Sequence, residues 1–388
     1  MKKILILMGY KTVNYGSGLQ SYATFEILKQ LGYEVNVLNL DVLWKEFRLR
    51  KVKFYLCSGE LEFILRSKGG MYLGKITKIF QPRYRKKIKK RKEKFSLFLQ
   101  DKLKFTAGVK DFEEASELSK RYDYVLLGSD QVWLPSSVMT DVYTLSFVDK
   151  NVKKIAYAPS FGIGSIPKKY WSKYRNMFID IDYIALREDS GRRIVEEIAG
   201  KKCEVVADPV LLLKRNEWER AISSHNEINE KYLFCYLIGN NKWHREWIKK
   251  YADIKKLKTV AIIHLDQKIT RDEKVFDYTI IDASLEQFLN FIRHAEIVFT
   301  DSFHCTIFSI IEHKKFWCFK RFEDDVKIST NSRLDSLLKR TGLEDHVVSK
   351  NCDIESAMQN EDIEYHDVDK KIDDFRENSL DFLKMSLE

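Results

Sequence analysis

The chain has 388 residues, of which 44% are hydrophobic and 32% charged, with a formal net charge of +10. That composition excludes a disordered or fibrous chain, and the length calls for two domains rather than one.

The first candidate element is residues 4–8, read as a buried parallel strand. Its apolar run of five residues is too short for a signal-peptide core or a membrane span. A second strand is expected over 34–39. From about 42 to 110 the sequence turns basic and helical with no strong strand, which reads as an insertion in the first domain. Within it, nine of the twelve residues from Arg83 to Lys94 are Lys or Arg. The readings open for this run are a solvated helix face or a patch meeting anionic lipid or a phosphate-bearing acceptor. No nucleic-acid module surrounds it, so no nucleic-acid partner is expected.

Strands follow over 124–128, 154–158, 183–187 and 204–207. A polar stretch at 214–231 marks a boundary, giving a first domain over 1–215 and a second over 230–388. The second carries strands at 232–238, 259–264, 278–281, 297–300 and 316–319, then a last helix from about 368 placed to pack back on the first domain. Strands separated by helices imply parallel sheets with right-handed crossovers. The expected class is α/β, with two Rossmann-like domains facing across a cleft. Six cysteines show no CxxC spacing, so neither a disulfide framework nor a zinc site is expected, which points to a reducing cytoplasm. No cofactor and no metal are expected.

The residues suited to chemistry fall at strand ends, where ligands bind in open α/β sheets. Asn14 and Tyr15 precede Gly16-Ser17-Gly18, a strand-to-helix turn that is neither a dinucleotide nor a Walker fingerprint. It reads equally as a purely structural turn. Asp130 and Gln131 supply groups that hydrogen-bond sugar hydroxyls, and Trp133 a flat stacking face; the competing reading is a capped helix start over a core tryptophan. Arg187 suits bidentate binding of phosphate or carboxylate, against a salt bridge to Glu188 or Asp189. Asp208-Pro209 reads as a cap or turn at the interdomain connection, and His264 as either a ligand contact or a core histidine. Asp301-Ser302-Phe303-His304 turns a strand into a helix with apolar residues Phe303, Ile307, Ile310 and Ile311 on one side and His304 off it. A first helical turn attracts anions, and a histidine moves protons near neutral pH. Arg333, at a further helix start, either reaches an anion in the cleft or decorates that start.

Taken in order, seven segments resemble the polysaccharide pyruvyl transferase family: Asn14-Tyr-Gly-Ser-Gly-Leu-Gln-Ser-Tyr-Ala23, Gly128-Ser-Asp-Gln-Val-Trp133, Ala156-Tyr-Ala-Pro-Ser-Phe-Gly162, Ala185-Leu-Arg-Glu-Asp-Ser-Gly191, Asp208-Pro-Val-Leu-Leu212, Thr300-Asp-Ser-Phe-His304 and Asn331-Ser-Arg-Leu-Asp-Ser-Leu-Leu338. Each is modest alone; seven in family order are specific. The basic stretch is covered poorly, and Cys305 stands where the family often has glycine. The resemblance implies a GT-B-like fold and transfer of pyruvate from phosphoenolpyruvate, the co-substrate, to hydroxyls of a cell-surface or exopolysaccharide glycan as a ketal. It implies a donor site on the second domain made by Ser302, Phe303, His304 and Arg333, with Arg187 of the first domain as its partner across the cleft. His304 is then the catalytic acid/base, Asp130 a candidate hydroxyl-activating base or acceptor-binding residue, and acceptor contacts come from Asn14, Tyr15, Asp130, Gln131 and Trp133 on the first domain. The implied partner is a glycan or a lipid-linked oligosaccharide, met in the cytoplasm or at the inner face of the membrane. The rivals are a GT-B glycosyltransferase using a nucleotide sugar and a non-catalytic glycan-binding protein of the same fold.

Overall fold

The computed structural model describes residues 1–57, 82–264, 269–322 and 331–388. Two parallel sheets organise them. The first contains β1 (Lys3–Leu7), β2 (Glu34–Asn39), β3 (Phe105–Gly108), β4 (Tyr124–Leu127), β5 (Lys153–Tyr157), β6 (Tyr183–Leu186) and β7 (Glu204–Val205), in the order β3-β2-β1-β4-β5-β6-β7. The second contains β8 (Tyr232–Tyr236), β9 (Lys258–Ile262), β10 (Tyr278–Ile280), β11 (Ile297–Thr300), β12 (Lys315–Phe319) and β13 (Val347–Val348), in the order β10-β9-β8-β11-β12-β13. The central strands are apolar on both faces because helices cover both, as crossovers in a parallel sheet require; all five residues of β8 are buried.

In each sheet the strand order reverses beside the first strand, between β1 and β4 and between β8 and β11. These switch points open a crevice at the carboxyl ends. Helix starts there are capped from the sequence: the Asn14 carboxamide oxygen accepts from Ser17 N–H at 3.2 Å, and Ser302 caps the Phe303–Ile311 helix.

The stretch expected to lack a strand contains β3. It is a four-residue edge strand, half exposed and ending in glycine, so it carries little apolar signal. The helix Pro82–Lys102 that precedes it is more than an insertion. Phe95, Phe98 and Leu99 enter the core of the first domain, while its first turns lie on the second. There Tyr84 donates to Glu273 at 2.6 Å, and the buried Arg91 donates to the carbonyls of Ile263 (2.8 Å) and Ile281 (3.3 Å).

The interval between β7 and β8 is polar in composition yet anchored by Trp218, fully buried against Tyr22 and Phe308. One apolar core therefore runs from the first sheet through this interval into the second domain. A smaller core covers the outer face of the second sheet around Trp247, Tyr251 and Phe299. The closing helix Tyr365–Ser386 returns to the first domain, where Arg376 donates to the Leu211 carbonyl at 2.7 Å and Ser379 accepts from Ala207 N–H at 2.8 Å.

Candidate active site in the interdomain cleft

The carboxyl ends of both sheets face one cleft of about 1120 Å³. Asn14 and Ser17 line it after β1, Asp130 and Gln131 after β4, Ile238 after β8, His264 after β9, Ser302, Phe303 and His304 after β11, and Arg321 after β12. Arg333 reaches it from the start of the helix Ser332–Thr341.

Behind this surface lies a buried ionic cluster. The Arg187 side chain is 0% exposed and donates to Asp208 at 2.7 Å and to the Ser129 hydroxyl at 3.2 Å. Its other nitrogens lie 3.6 Å from Asp130 and 3.7 Å from Glu188, and its guanidinium packs 4.9 Å from the Phe303 ring centroid. The anion-clamp role expected of Arg187 does not fit that position, because its charge is already matched by three carboxylates and it has no cleft surface. The salt-bridge reading fits instead. Glu188 takes part although strand neighbours point to opposite faces, since Glu188 lies past the end of β6.

Asp208 serves two functions there. One oxygen accepts from Val210 N–H at 3.1 Å, the cap expected for Asp-Pro, while the other lies 3.5 Å from His304 Nε2 as well as on Arg187. Burial would raise the Asp208 carboxyl, but His304, Arg187 and the Val210 N–H outweigh it and hold it well below the usual range. Asp130 follows the same logic. Burial opposes ionisation, and Arg187, His304, the Ser17 hydroxyl and the Gln131 N–H together keep it below its ordinary value. Its backbone sits at φ +88°, an uncommon conformation for a residue with a side chain and one found at functional sites. Glu188 is the exception in the cluster: burial raises it despite Arg187 and Arg333.

His304 is buried in the first turn of a helix that is buried on every side, because the Tyr15–Gln30 helix covers the flank off its apolar stripe. Gly16 makes room for it. A Cβ at position 16 would fall 2.1 Å from His304 Nδ1, so the glycine lets the imidazole lie against the backbone. Asp301, first in the expected corner, turns inward: its carboxylate accepts from Ile238 N–H at 2.6 Å and Gly239 N–H at 2.7 Å, tying β11 to the end of β8.

Two expected acceptor contacts lie elsewhere. Tyr15 is fully buried, stacked on Phe288 with its hydroxyl donating to the Ala283 carbonyl at 3.0 Å. Trp133 is also fully buried, packed on Phe161 and Phe178 with its indole N–H donating to the Tyr143 carbonyl at 3.2 Å. Both were flat rings beside cleft residues in the sequence, but helix and strand geometry turns them into the core. The aromatic rings that do line the cleft are Trp44, Phe47, Tyr143 and Phe303.

Of the cations facing the cleft, the sequence reading singled out Arg333 and the basic run that holds Arg85, Lys89 and Lys92, and missed Arg48, Lys51 and Arg321. Arg48 and Lys51 come from the helix Leu43–Cys57; Arg85, Lys89 and Lys92 come from Pro82–Lys102; Arg321 and Arg333 come from the second domain. Among the described residues lining the cleft, one carboxylate, Asp130, stands against these seven. The signal was present for the middle group: 85, 88, 89 and 92 recur at helical spacing within the basic run and share one face. Arg333 differs from the rest. Buried beside Arg187, it is pulled down to about 9 by desolvation and by that like charge, and among the described residues its Nε has no hydrogen-bond partner. Also among the described residues, no group of three His, Cys, Asp or Glu is placed to hold a metal ion.

Two parallel-sheet α/β domains with their carboxyl ends across a cleft define a GT-B-like protein. Solved structures with this fold include the UDP-GlcNAc 2-epimerase from Neisseria meningitidis bound to UDP-GlcNAc (TM-score 0.54, 11% identity, 99% of this chain and 100% of that one). S. aureus MnaA in its UDP co-structure is similar (TM-score 0.55, 12% identity, 95% and 90%). At such identities the likeness is one of fold. No curated protein matches the sequence. The polysaccharide pyruvyl transferase model matches residues 14–321, most of the chain, and the protein belongs to that family.

Proposed function

We propose that this protein transfers pyruvate from phosphoenolpyruvate to two hydroxyls of a glycan, forming a ketal and releasing phosphate. The observation that carries the reading is Arg333: a cation buried in a cleft, destabilised by Arg187 behind it, and open to an incoming anion. Phosphoenolpyruvate offers a phosphate and a carboxylate. Arg333 and Arg321, with the first turn of the Phe303–Ile311 helix, form the donor end.

Two hydroxyl protons must be accounted for. One ends on the methylene carbon, which becomes the methyl group. The other leaves with phosphate as its C–O bond breaks and the second hydroxyl closes the ketal. His304 is the group placed to relay them, with the buried Asp208 carboxylate 3.5 Å from its Nε2. Asp130, held ionised, accepts hydrogen bonds from acceptor hydroxyls. Asn14 and Gln131 lie on the same wall, and the cationic row Arg85, Lys89 and Lys92 suits an acceptor that carries phosphate, such as a lipid-linked oligosaccharide. No described helix is long and apolar enough to cross a membrane. We assign the reaction to the cytoplasm, at or near the inner membrane face.

Phosphoenolpyruvate should raise the melting temperature, whereas a UDP-sugar should not. Arg333→Met should lose that shift while its own melting temperature holds or rises, because a buried charge whose desolvation and repulsion by Arg187 outweigh its attraction to Glu188 and Asp130 is removed. His304→Ala should keep the shift and lose phosphate release in the presence of acceptor glycan. Stabilisation by the UDP-sugar alone would point to the glycosyltransferase reading, and ligand binding without phosphate release to a non-catalytic one.

A further inference from the structure

The helix Leu43–Cys57 forms one rim of the cleft, and its two sides differ sharply. Its inner side is docked: Leu43 and Phe47 are buried, Arg50 pairs with Asp141 at 3.0 Å, and Phe54 packs near Tyr170. Its outer side carries Leu49, Val52 and Leu56, exposed to 71%, 55% and 64%. Those positions are three and four residues apart, so they form one stripe along the helix. Isolated exposed apolar side chains need no explanation, but three aligned on one helix make a face that has no partner among the described residues. Lys45 lies within that stripe, and Arg48 and Lys53 flank it, all exposed.

An apolar stripe edged by lysine and arginine matches the acyl boundary and the phosphate layer of a bilayer at once. A second copy of the chain fits poorly, since pairing two such stripes brings their flanking cations together. We propose that the outer face of the Leu43–Cys57 helix docks on a bilayer rich in anionic headgroups. The same helix sends Arg48 and Lys51 into the cleft, so docking there brings the cleft mouth to the membrane surface.

The test is co-sedimentation with vesicles of phosphatidylcholine alone and of phosphatidylcholine mixed with phosphatidylglycerol. The protein should partition onto the mixed vesicles, less so as salt is raised. Leu49→Ser/Val52→Ser/Leu56→Ser should reduce partitioning about tenfold or more, and Lys45→Glu/Lys53→Glu should do so on mixed vesicles. The substituted side chains are exposed, so both variants should melt like the parent by circular dichroism. Equal partitioning of parent and triple-serine variant would overturn the proposal, as would no binding by the parent. A dimer in light scattering that the triple-serine variant converts to monomer would also overturn it, by giving the stripe to a second copy.

Discussion

Arg187 and Arg333 show how little residue type says about role. Both are arginines at the carboxyl side of a sheet, and both pack against the Phe303 ring, at 4.9 and 5.7 Å. Arg187 is neutralised by Asp208, Asp130 and Glu188 and organises the cluster from behind; Arg333 meets the cleft with desolvation and the like charge of Arg187 outweighing the help of Glu188 and Asp130. Asp208 looked like a simple cap before Pro209, and its second partner, His304, lies 96 positions away in the chain, beyond the reach of any local pattern. Its carboxyl is depressed in the fold, so the stability it confers is complete above about pH 4 and is lost as pH falls through the folded value. Glu188, raised by burial, gives the opposite slope. Asp208→Asn breaks a buried pair and should cost about 3–5 kcal/mol at neutral pH. Urea titrations at neutral and acid pH should also show that it loses less stability than the parent as pH drops from about 5 to about 3. An unchanged acid slope would mean that Asp208 is not the depressed group.

The helix Pro82–Lys102 is the element whose sequence was read least well. Nine cations in twelve residues give the impression of one solvated surface, but the fold divides them. Arg91 is buried with its guanidinium 4.5 Å from the Tyr15 ring centroid, Lys90 lies 3.3 Å from Asp282, Lys94 donates to Gln287 at 2.8 Å, and Arg85, Lys89 and Lys92 face the cleft. Their alternation at helical period was legible; which face would meet which domain was not. Arg91→Ala would leave the Ile263 and Ile281 carbonyls without their donor, and should destabilise by about 2–4 kcal/mol. The loss should be visible as a lower urea midpoint. The same substitution should loosen the helix from the second domain, read as faster amide exchange around 82–94 than around 95–102. Uniform exchange along the helix would count against the bridging role.

Across the whole molecule, a continuous core and a returning terminal helix join the two sheets. Val368, Ile372, Phe382, Leu383 and Leu387 are buried, and the hydroxyls of Tyr33 and Tyr124 both donate to the Leu387 carbonyl. Five apolar side chains at about 1.5–3 kcal/mol each rival the 5–15 kcal/mol by which a domain is stable. Removing residues 365–388 should therefore expose both domains together and abolish the cooperative melt; a truncated chain with a near-parental transition would show that the helix is dispensable. The amino-acid sequence by itself determined the alternation of strand and helix, and with it the parallel sheets, because burial on both faces demands unbroken apolar runs such as those at β1, β8 and β11. It also placed Asn14, Asp130, Ser302 and His304 at strand ends, since caps and turns are local chemistry. Only the tertiary structure decided that Tyr15 and Trp133 face the core, that Arg187 is sealed behind the cleft, that Asp208 sits against His304, and that Arg85, Lys89 and Lys92 point inward. Those outcomes depend on which surfaces meet and what charge waits there, and such contacts join residues too far apart in the chain for periodicity to register.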